Sequence, residues 1–326
     1  MIDWLIVVRA VHFASTAMTA GVLIFLALVA ERALGAADAT ATGRSFSTWS
    51  RWLAGAGLTI TVISGAAWVA LQAIAMSGLP LGEAIAPDVL WIVVSKTHFG
   101  IVSCIRLALA VFLAASLSLG RSARWTHWIA SALAVALLAT IAWTGHAAAT
   151  LGSIGTLHLA ADALHVLASG AWVGGLPALG LLLVLARRCD DPSGAAAARD
   201  ATLRFSTLGL VSVGTLLATG VVNSWFLVGS LRALVATEYG RLLLIKIGLF
   251  AAMLSVAAFN RLLLAPRLSL PSQDGLRKKA LRCLSLNSFI EMTIGLAIFA
   301  IIGALGTMHP AIHIPLALPV TGLLLP

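Results

Sequence analysis

The sequence predicts an all-α protein, a polytopic bundle of eight transmembrane helices that forms one membrane domain over residues 1–326. Of these residues, 60% are hydrophobic and only 10% are charged, whereas a soluble domain averages about 25% charged residues. The mean hydropathy is +1.02. Eight separate stretches are long and apolar enough to cross a bilayer, which takes about 20 residues per helix. These observations exclude a soluble globular enzyme, a disordered chain and a nucleic-acid-binding protein.

The first four predicted spans are residues 4–34, 52–76, 89–119 and 125–149. The first lacks a basic leading region and carries Arg9 and His12, which favours a retained helix over a cleaved signal peptide. The next three begin at or near Trp52, Trp91 and Trp125. Tryptophan near the ends of a span is typical of the aromatic belt of membrane proteins.

The last four predicted spans are residues 155–186, 205–231, 240–264 and 284–306. The fifth carries Gly170 and Gly174, which allow another helix to approach closely. The sixth, seventh and eighth contain Asn223, Asn260 and Asn287. We expect these amides to form hydrogen bonds between helices.

Loop charge predicts the orientation of the chain. Of the 21 Lys and Arg residues, fifteen lie in the first, third, fifth and seventh loops, and only two lie in the others. Basic loops stay in the cytoplasm. Both termini are therefore expected outside, in the periplasm, with the chain crossing a bacterial inner (cytoplasmic) membrane.

Histidines collect at the predicted outer face. Only His127 falls on the cytoplasmic side, and seven of the eight histidines lie outside or in the outer part of a span: His12, His98, His146, His158, His165, His309 and His313. His158, Asp162 and His165 are spaced i, i+4 and i+7, so they project from one helix face. Polar residues inside spans are costly and tend to mark function.

These residue types predict a metal site. Imidazole binds copper, zinc, iron and nickel, and a thioether beside imidazole favours copper. Met308 adjoins His309 and His313, and Met18 would extend a thioether path inward. The alternative for any single histidine is an interfacial hydrogen bond. The predicted ligands of copper, as Cu(I) or Cu(II), are His158, His165, His309, His313, His12, His98, Met308, Met18 and Asp162.

Charged residues inside the spans are expected to pair, because a lone charge at the centre of a bilayer costs about 2.5–3.5 kcal/mol. Residues predicted to lie at the same depth in the membrane are expected to form these pairs. They are Asp162 with Lys96 or Lys246, and Arg106 with Glu291. These pairs either hold the bundle together or take part in transport, with Glu291 as a relay for a proton or a cation.

Several motifs resemble the CopD family of copper-resistance membrane proteins. They are HLAADALHVLASGAWVGGL at 158–176, TEYGRLLLIK at 237–246, NR at 260–261, PRL at 266–268 and GTMHP at 306–310. The positions that match the family pattern are His158, Asp162, His165, Trp172, Lys246, Asn260 and Glu291. The resemblance implies an eight-span inner-membrane protein of copper homeostasis. It also implies copper movement from the periplasm to the cytoplasm, often beside a CopC-like periplasmic copper donor.

Three functions follow in order of preference. The first is copper import through the outer histidine cluster. The second is a membrane oxidoreductase that binds haem b through axial ligands drawn from His12, His98 and His165. The third is a copper sensor or store without transport. The chain has no phosphate-binding loop motif, so we do not expect nucleotide-driven transport by this chain alone. Apart from the oxidoreductase alternative, we do not expect an enzyme.

Overall fold

The computed structural model describes residues 3–35, 40–118, 124–150, 152–189, 192–269 and 274–314. Eight helices in these ranges are long and apolar enough to cross a membrane. In chain order they are α1 (Trp4–Leu34), α2 (Ala41–Ser77), α3 (His98–Ser118), α4 (Trp125–Thr144), α5 (Gly152–Arg188), α6 (Pro192–Val228), α7 (Glu238–Leu268) and α8 (Gly275–Leu305). The predicted fold class and number of spans are confirmed.

Local sequence sets several helix ends. The side chain of Asp3 accepts a hydrogen bond from the backbone N–H of Leu5 at the start of α1. Thr237 caps α7 by accepting from the backbone N–H of Gly240, at 3.0 Å. Gly78 ends α2 with φ 69°, a left-handed conformation that glycine adopts without strain. Each cap satisfies a backbone group that a helix end would otherwise leave unpaired.

Helices α1 and α5 form the centre of the bundle. In the most apolar stretch of each helix, 83% of α1 and 67% of α5 is buried, against 39% or less in the other six. The two helices meet where Gly21 lies directly against the backbone of Gly170 and Gly174. A β-carbon at Gly21 would overlap the backbone of Gly174. The predicted packing role of these α5 glycines is confirmed.

The structure corrects two predicted spans. The third, 89–119, is two helices: a short one at Pro87–Lys96, and α3 from His98. Thr97 separates them with an extended backbone, and its hydroxyl accepts from the N–H of Gly100 at 2.9 Å, which starts a new helix. The fourth, 125–149, ends as a span at Thr144, because the backbone of Gly145 is extended.

Because the number of spans is even, the start of α1 and the end of α8 lie on the same side of the bundle. We call this side the terminal end. The short helices Leu81–Ala84, Pro87–Lys96 and Leu231–Ala236 connect spans there, and a turn of 3₁₀-helix, Ala311–His313, follows α8.

Candidate functional site

The polar face of α5 meets α6 residue by residue. The ring of His158 stacks on Phe226, with 4.6 Å between ring centres. One helix turn later, Asp162 Oδ1 accepts a hydrogen bond from Asn223 Nδ2 at 3.3 Å. The predicted interhelical role of this asparagine is confirmed.

The third residue of this face is His165. Its Nδ1 atom lies 2.9 Å from the hydroxyl oxygen of Thr219. That hydroxyl donates its only proton to the carbonyl oxygen of Thr215, at 2.6 Å. The Thr219 oxygen must therefore accept from Nδ1–H of His165. The imidazole is held as the tautomer whose Nε2 carries the lone pair, the form in which histidine binds a metal.

Lys246 of α7 interacts electrostatically with both Asp162 and His165. Tyr239, buried at the start of α7, also lies within electrostatic range of Asp162. Lys96 is exposed at the end of its short helix, so the structure favours Lys246 of the two predicted partners. We call His158, Asp162, His165, Asn223 and Lys246 the outer polar cluster.

Three further histidines gather at the terminal end. Nε2 of His146 lies 3.3 Å from the carbonyl oxygen of Leu305, so it donates and leaves Nδ1 free. Partial burial lowers the pKa of His146. The hydrogen bond to Leu305 raises this pKa, whereas nearby Arg9, His309 and His313 lower it. His309 and His313 are exposed.

The predicted copper ligands do not form one closed site. Within the described ranges, no three His, Cys, Asp or Glu side chains are grouped closely enough to hold a metal ion. Met308 is half-buried and packs against a small apolar cluster that includes Tyr239 and Leu305. Met18 is half-buried on α1. The role of each of these residues toward copper remains a prediction.

Two of the three predicted haem ligands, His12 and His98, differ in environment. His12 is 2% exposed and donates Nδ1–H toward the carbonyl oxygen of Thr61, with Ser64 also in reach. His98 is exposed at the beginning of α3. The helix break at Thr97 puts His98 in the first turn of α3, whereas His12 lies in the third turn of α1. Haem binding by His12, His98 or His165 stays a prediction.

The predicted pair of Arg106 with Glu291 is wrong. Nε of Arg106 donates to the hydroxyl of Thr140 at 2.9 Å, and Nη2 donates to Thr144 at 2.6 Å. Since α3 begins at His98, Arg106 lies in the terminal half of its helix. The sequence analysis had predicted Arg106 at the depth of Glu291, in the other half of the bundle.

Glu291 is instead held by amides. Nδ2 of Asn260 donates to Glu291 Oε1 at 2.7 Å, and Nδ2 of Asn287 donates to Asn260 Oδ1 at 2.6 Å. The interhelical role predicted for both asparagines is confirmed. Asn260 begins the π-helical segment Asn260–Leu264, a local widening that is often found at functional sites.

Glu291 lines a cavity of about 160 Å³ between α5, α6, α7 and α8. The cavity is largely apolar, and its polar lining includes Asn260, Arg261 and Ser288. Trp172, on the continuation of α5 beyond His165, also lines it and lies beside Glu291. Trp172 lies two helix turns beyond His165 on the same helix, so α5 connects the outer polar cluster with the cavity of Glu291.

Sequence reasoning missed several residues of this arrangement. Thr219 and Phe226 face the α5 histidines, and Tyr239 lies near Asp162. Hydroxyl groups and aromatic rings are common inside apolar spans. The sequence therefore gives no sign of which of them contact the histidines or Asp162. The hydroxyl of Thr150 lies 3.0 Å from Nδ1 of His158, across the turn that precedes α5.

Two family models match the chain. The first is described as copper resistance protein D-like, N-terminal domain, and matches residues 1–156. The second, copper resistance protein D, matches residues 199–305. Copper resistance protein D of Pseudomonas syringae pv. tomato is 32% identical over 78% of this chain and 81% of its own length. The chain belongs to the copper resistance protein D family.

Two further relatives of this CopD-family chain carry different names. Copper transport protein CutJ of Bacillus subtilis is 34% identical over 59% of this chain and 36% of its own length. Inner membrane protein YebZ of Escherichia coli is 28% identical over 94% of this chain and 98% of its own length. No solved structure matches the chain. With its eight spans, the chain is a multi-pass inner-membrane protein of the CopD family.

Proposed function

We propose that this CopD-family protein moves copper across the inner membrane, from the periplasm at the terminal end to the cytoplasm. The observation that carries the proposal is the polar face of α5, on which His158, Asp162 and His165 follow one another into the bundle. Relatives named for copper resistance and copper transport support the choice of metal. The positive-inside distribution of loop charge supports the orientation.

The outer polar cluster suits transient binding. Nε2 of His165 is a free ligand, and Asp162 supplies a negative charge that Lys246 partly neutralises. An arriving copper ion takes over from the Lys246 ammonium as the counter-charge of Asp162. Ions that move through a protein need several moderate sites rather than one tight site, and an open cluster meets that requirement.

The second half of the route runs past Trp172 to Glu291. The carboxyl group of Glu291 accepts a hydrogen bond from Asn260 and lines a cavity. A cation that enters this cavity can bind there inside an otherwise apolar bundle. We therefore assign Glu291 the role of inner relay. Neither half of the route involves a chemical step, so no enzyme activity is proposed.

The test is copper flux into liposomes that contain the purified protein and a trapped copper indicator. We expect His165→Ala to lower the initial rate by about tenfold or more, because loss of even a hydrogen-bond partner of a metal ligand typically costs about 10–100-fold. His127→Ala is the matched control, because His127 is exposed at the opposite end of α4. It should transport like the wild type.

Other outcomes distinguish the alternatives. Copper binding without flux would make the protein a sensor or store. A Soret absorption band that disappears with His165→Ala would favour the haem-binding alternative. Equal flux in the wild type and His165→Ala would overturn the proposed route.

A further inference from the structure

Two buried arginines near the terminal end lack a carboxylate partner. Arg9 of α1 is 7% exposed and Arg106 of α3 is 6% exposed. Their guanidinium carbons lie 5.0 and 5.2 Å from the ring centre of Trp68 on α2. The two cations are close enough to repel each other. Neither makes an ion pair with any residue in the described part of the chain.

The hydrogen-bond donors of this group are only partly used. Arg106 donates to Thr140 and Thr144, which are neutral acceptors. Nε of Arg9 and Nε1 of Trp68 are buried without a hydrogen-bond partner. The Arg9 guanidinium lies over the rings of Phe13 and Trp68, which offer no charged acceptor. Buried donors in native proteins are normally satisfied.

The surrounding helices supply little negative charge. His12 lies near Arg106, and His146 lies near Arg9. Gly306, at the end of α8, lies directly against the Arg9 guanidinium. A helix C-terminus carries only about half a negative charge, which leaves most of two positive charges uncompensated. Asp162 accepts a hydrogen bond from Asn223 and interacts electrostatically with Lys246, so that carboxylate is already engaged.

We propose that Arg9, Arg106 and Trp68 form a binding site for a small oxoanion with phosphate-like chemistry. Guanidinium groups present paired N–H donors that match the oxygens of a phosphate, and the indole N–H adds a third donor. The site would satisfy both orphan donors and neutralise the buried charge with one ligand. It is separate from the proposed copper route, and its test requires no copper.

Two sources can provide such an oxoanion. Arg9 lies five residues after Trp4, about 7 Å along the helix axis at 1.5 Å per residue, so a lipid phosphate at the membrane surface is one source. Free phosphate in solution has the same oxygens. Both arginines are buried within the bundle rather than on its outer surface, which favours the free ion.

The experiment measures thermal unfolding of the full chain in nanodiscs of neutral phosphatidylcholine while inorganic phosphate replaces chloride at constant ionic strength. We expect a saturable rise in the unfolding temperature of the wild type. Arg9→Gln should weaken the apparent affinity by about tenfold or more, as loss of a charged hydrogen-bond donor does. Arg51→Gln is the matched control, because Arg51 is exposed on α2 and bonds only within its own helix.

Trp68→Phe keeps the aromatic ring and removes only the donor, so it tests the site if Arg9→Gln fails to fold. It should also weaken the response to phosphate. A rise caused by phosphatidylglycerol alone, with no further rise on adding phosphate, would assign the anion to the lipid. The same response to phosphate in the wild type, Arg9→Gln and Trp68→Phe, or no response in the wild type to phosphate or phosphatidylglycerol, would overturn the proposal.

Discussion

Thr219→Val tests the copper route through a residue that does not itself bind copper. The substitution keeps the shape of the side chain and removes the oxygen that accepts from Nδ1–H of His165, at 2.9 Å. Thr219 is 7% exposed, so no bulk water replaces the lost acceptor. A buried donor left unpaired costs about 1–3 kcal/mol of folding stability.

The same change should weaken copper binding. A metal-binding histidine depends on the partner of its second nitrogen, and removal of such a partner typically lowers metal affinity about 10–100-fold. This range corresponds to about 1.4–2.8 kcal/mol. Copper affinity can be measured by competition with a chromophoric chelator, and flux by the liposome assay. We expect both to fall in Thr219→Val and to stay within about twofold in Thr219→Ser, which retains the hydroxyl group.

A second control separates the copper effect from loss of stability. Thr207 lies on the same helix, is exposed and donates to the carbonyl oxygen of Leu203, so Thr207→Val should leave copper affinity unchanged. The reasoning would be refuted if Thr219→Val unfolded at a lower temperature yet bound copper as tightly as the wild type. In that case His165 would serve only to join α5 and α6.

Three further predictions concern packing, the inner relay and pH. Gly21→Ala should sharply lower the yield and thermal stability of folded protein, because its methyl group would overlap the backbone of α5, whereas Gly248→Ala, with open space around it, should not. Asn260→Leu should lower copper flux more than copper binding at equilibrium, since it removes the amide that holds Glu291; equal flux would contradict the relay. Burial lowers the pKa of His146 in the folded state, so the unfolded chain takes up its proton first as pH falls below about 6.5, and stability is lost. His146→Gln should reduce the drop in unfolding temperature between pH 7 and pH 5, and an unchanged drop would contradict this assignment.

The positions of the spans were largely readable from the sequence, because an apolar run of sufficient length has few alternatives to a membrane helix. One error arose where the backbone of Gly145 is extended, and the other where a polar side chain interrupts an apolar run. Thr97 ends one helix and caps the next, yet its neighbours are apolar enough to be counted as one span. Hydropathy averages over about 19 residues and does not detect a single hydrogen bond that starts a new helix.

The residues of the outer polar cluster were also readable in part. The spacing of His158, Asp162 and His165 predicted a shared helix face, and the structure places that face against α6. The correct partners of Arg106 required the tertiary structure, because the helix break at Thr97 puts Arg106 in the terminal half of α3. The choice between Lys96 and Lys246 required it as well. Similar depth in a sequence places two residues at one level of the bilayer, but it does not give their angle around the bundle.

By itself, the sequence determined the class of this protein, its eight helices and the polar face of α5. Each of these depends on local composition or on the fixed period of a helix. The tertiary structure alone decided which helices occupy the centre, which tautomer of His165 is held, and where two arginines share one tryptophan. These features depend on contacts between residues that are distant in the chain, such as Gly21 with Gly174 and Arg9 with Trp68. Helix packing creates such contacts, and no local pattern in the sequence encodes them.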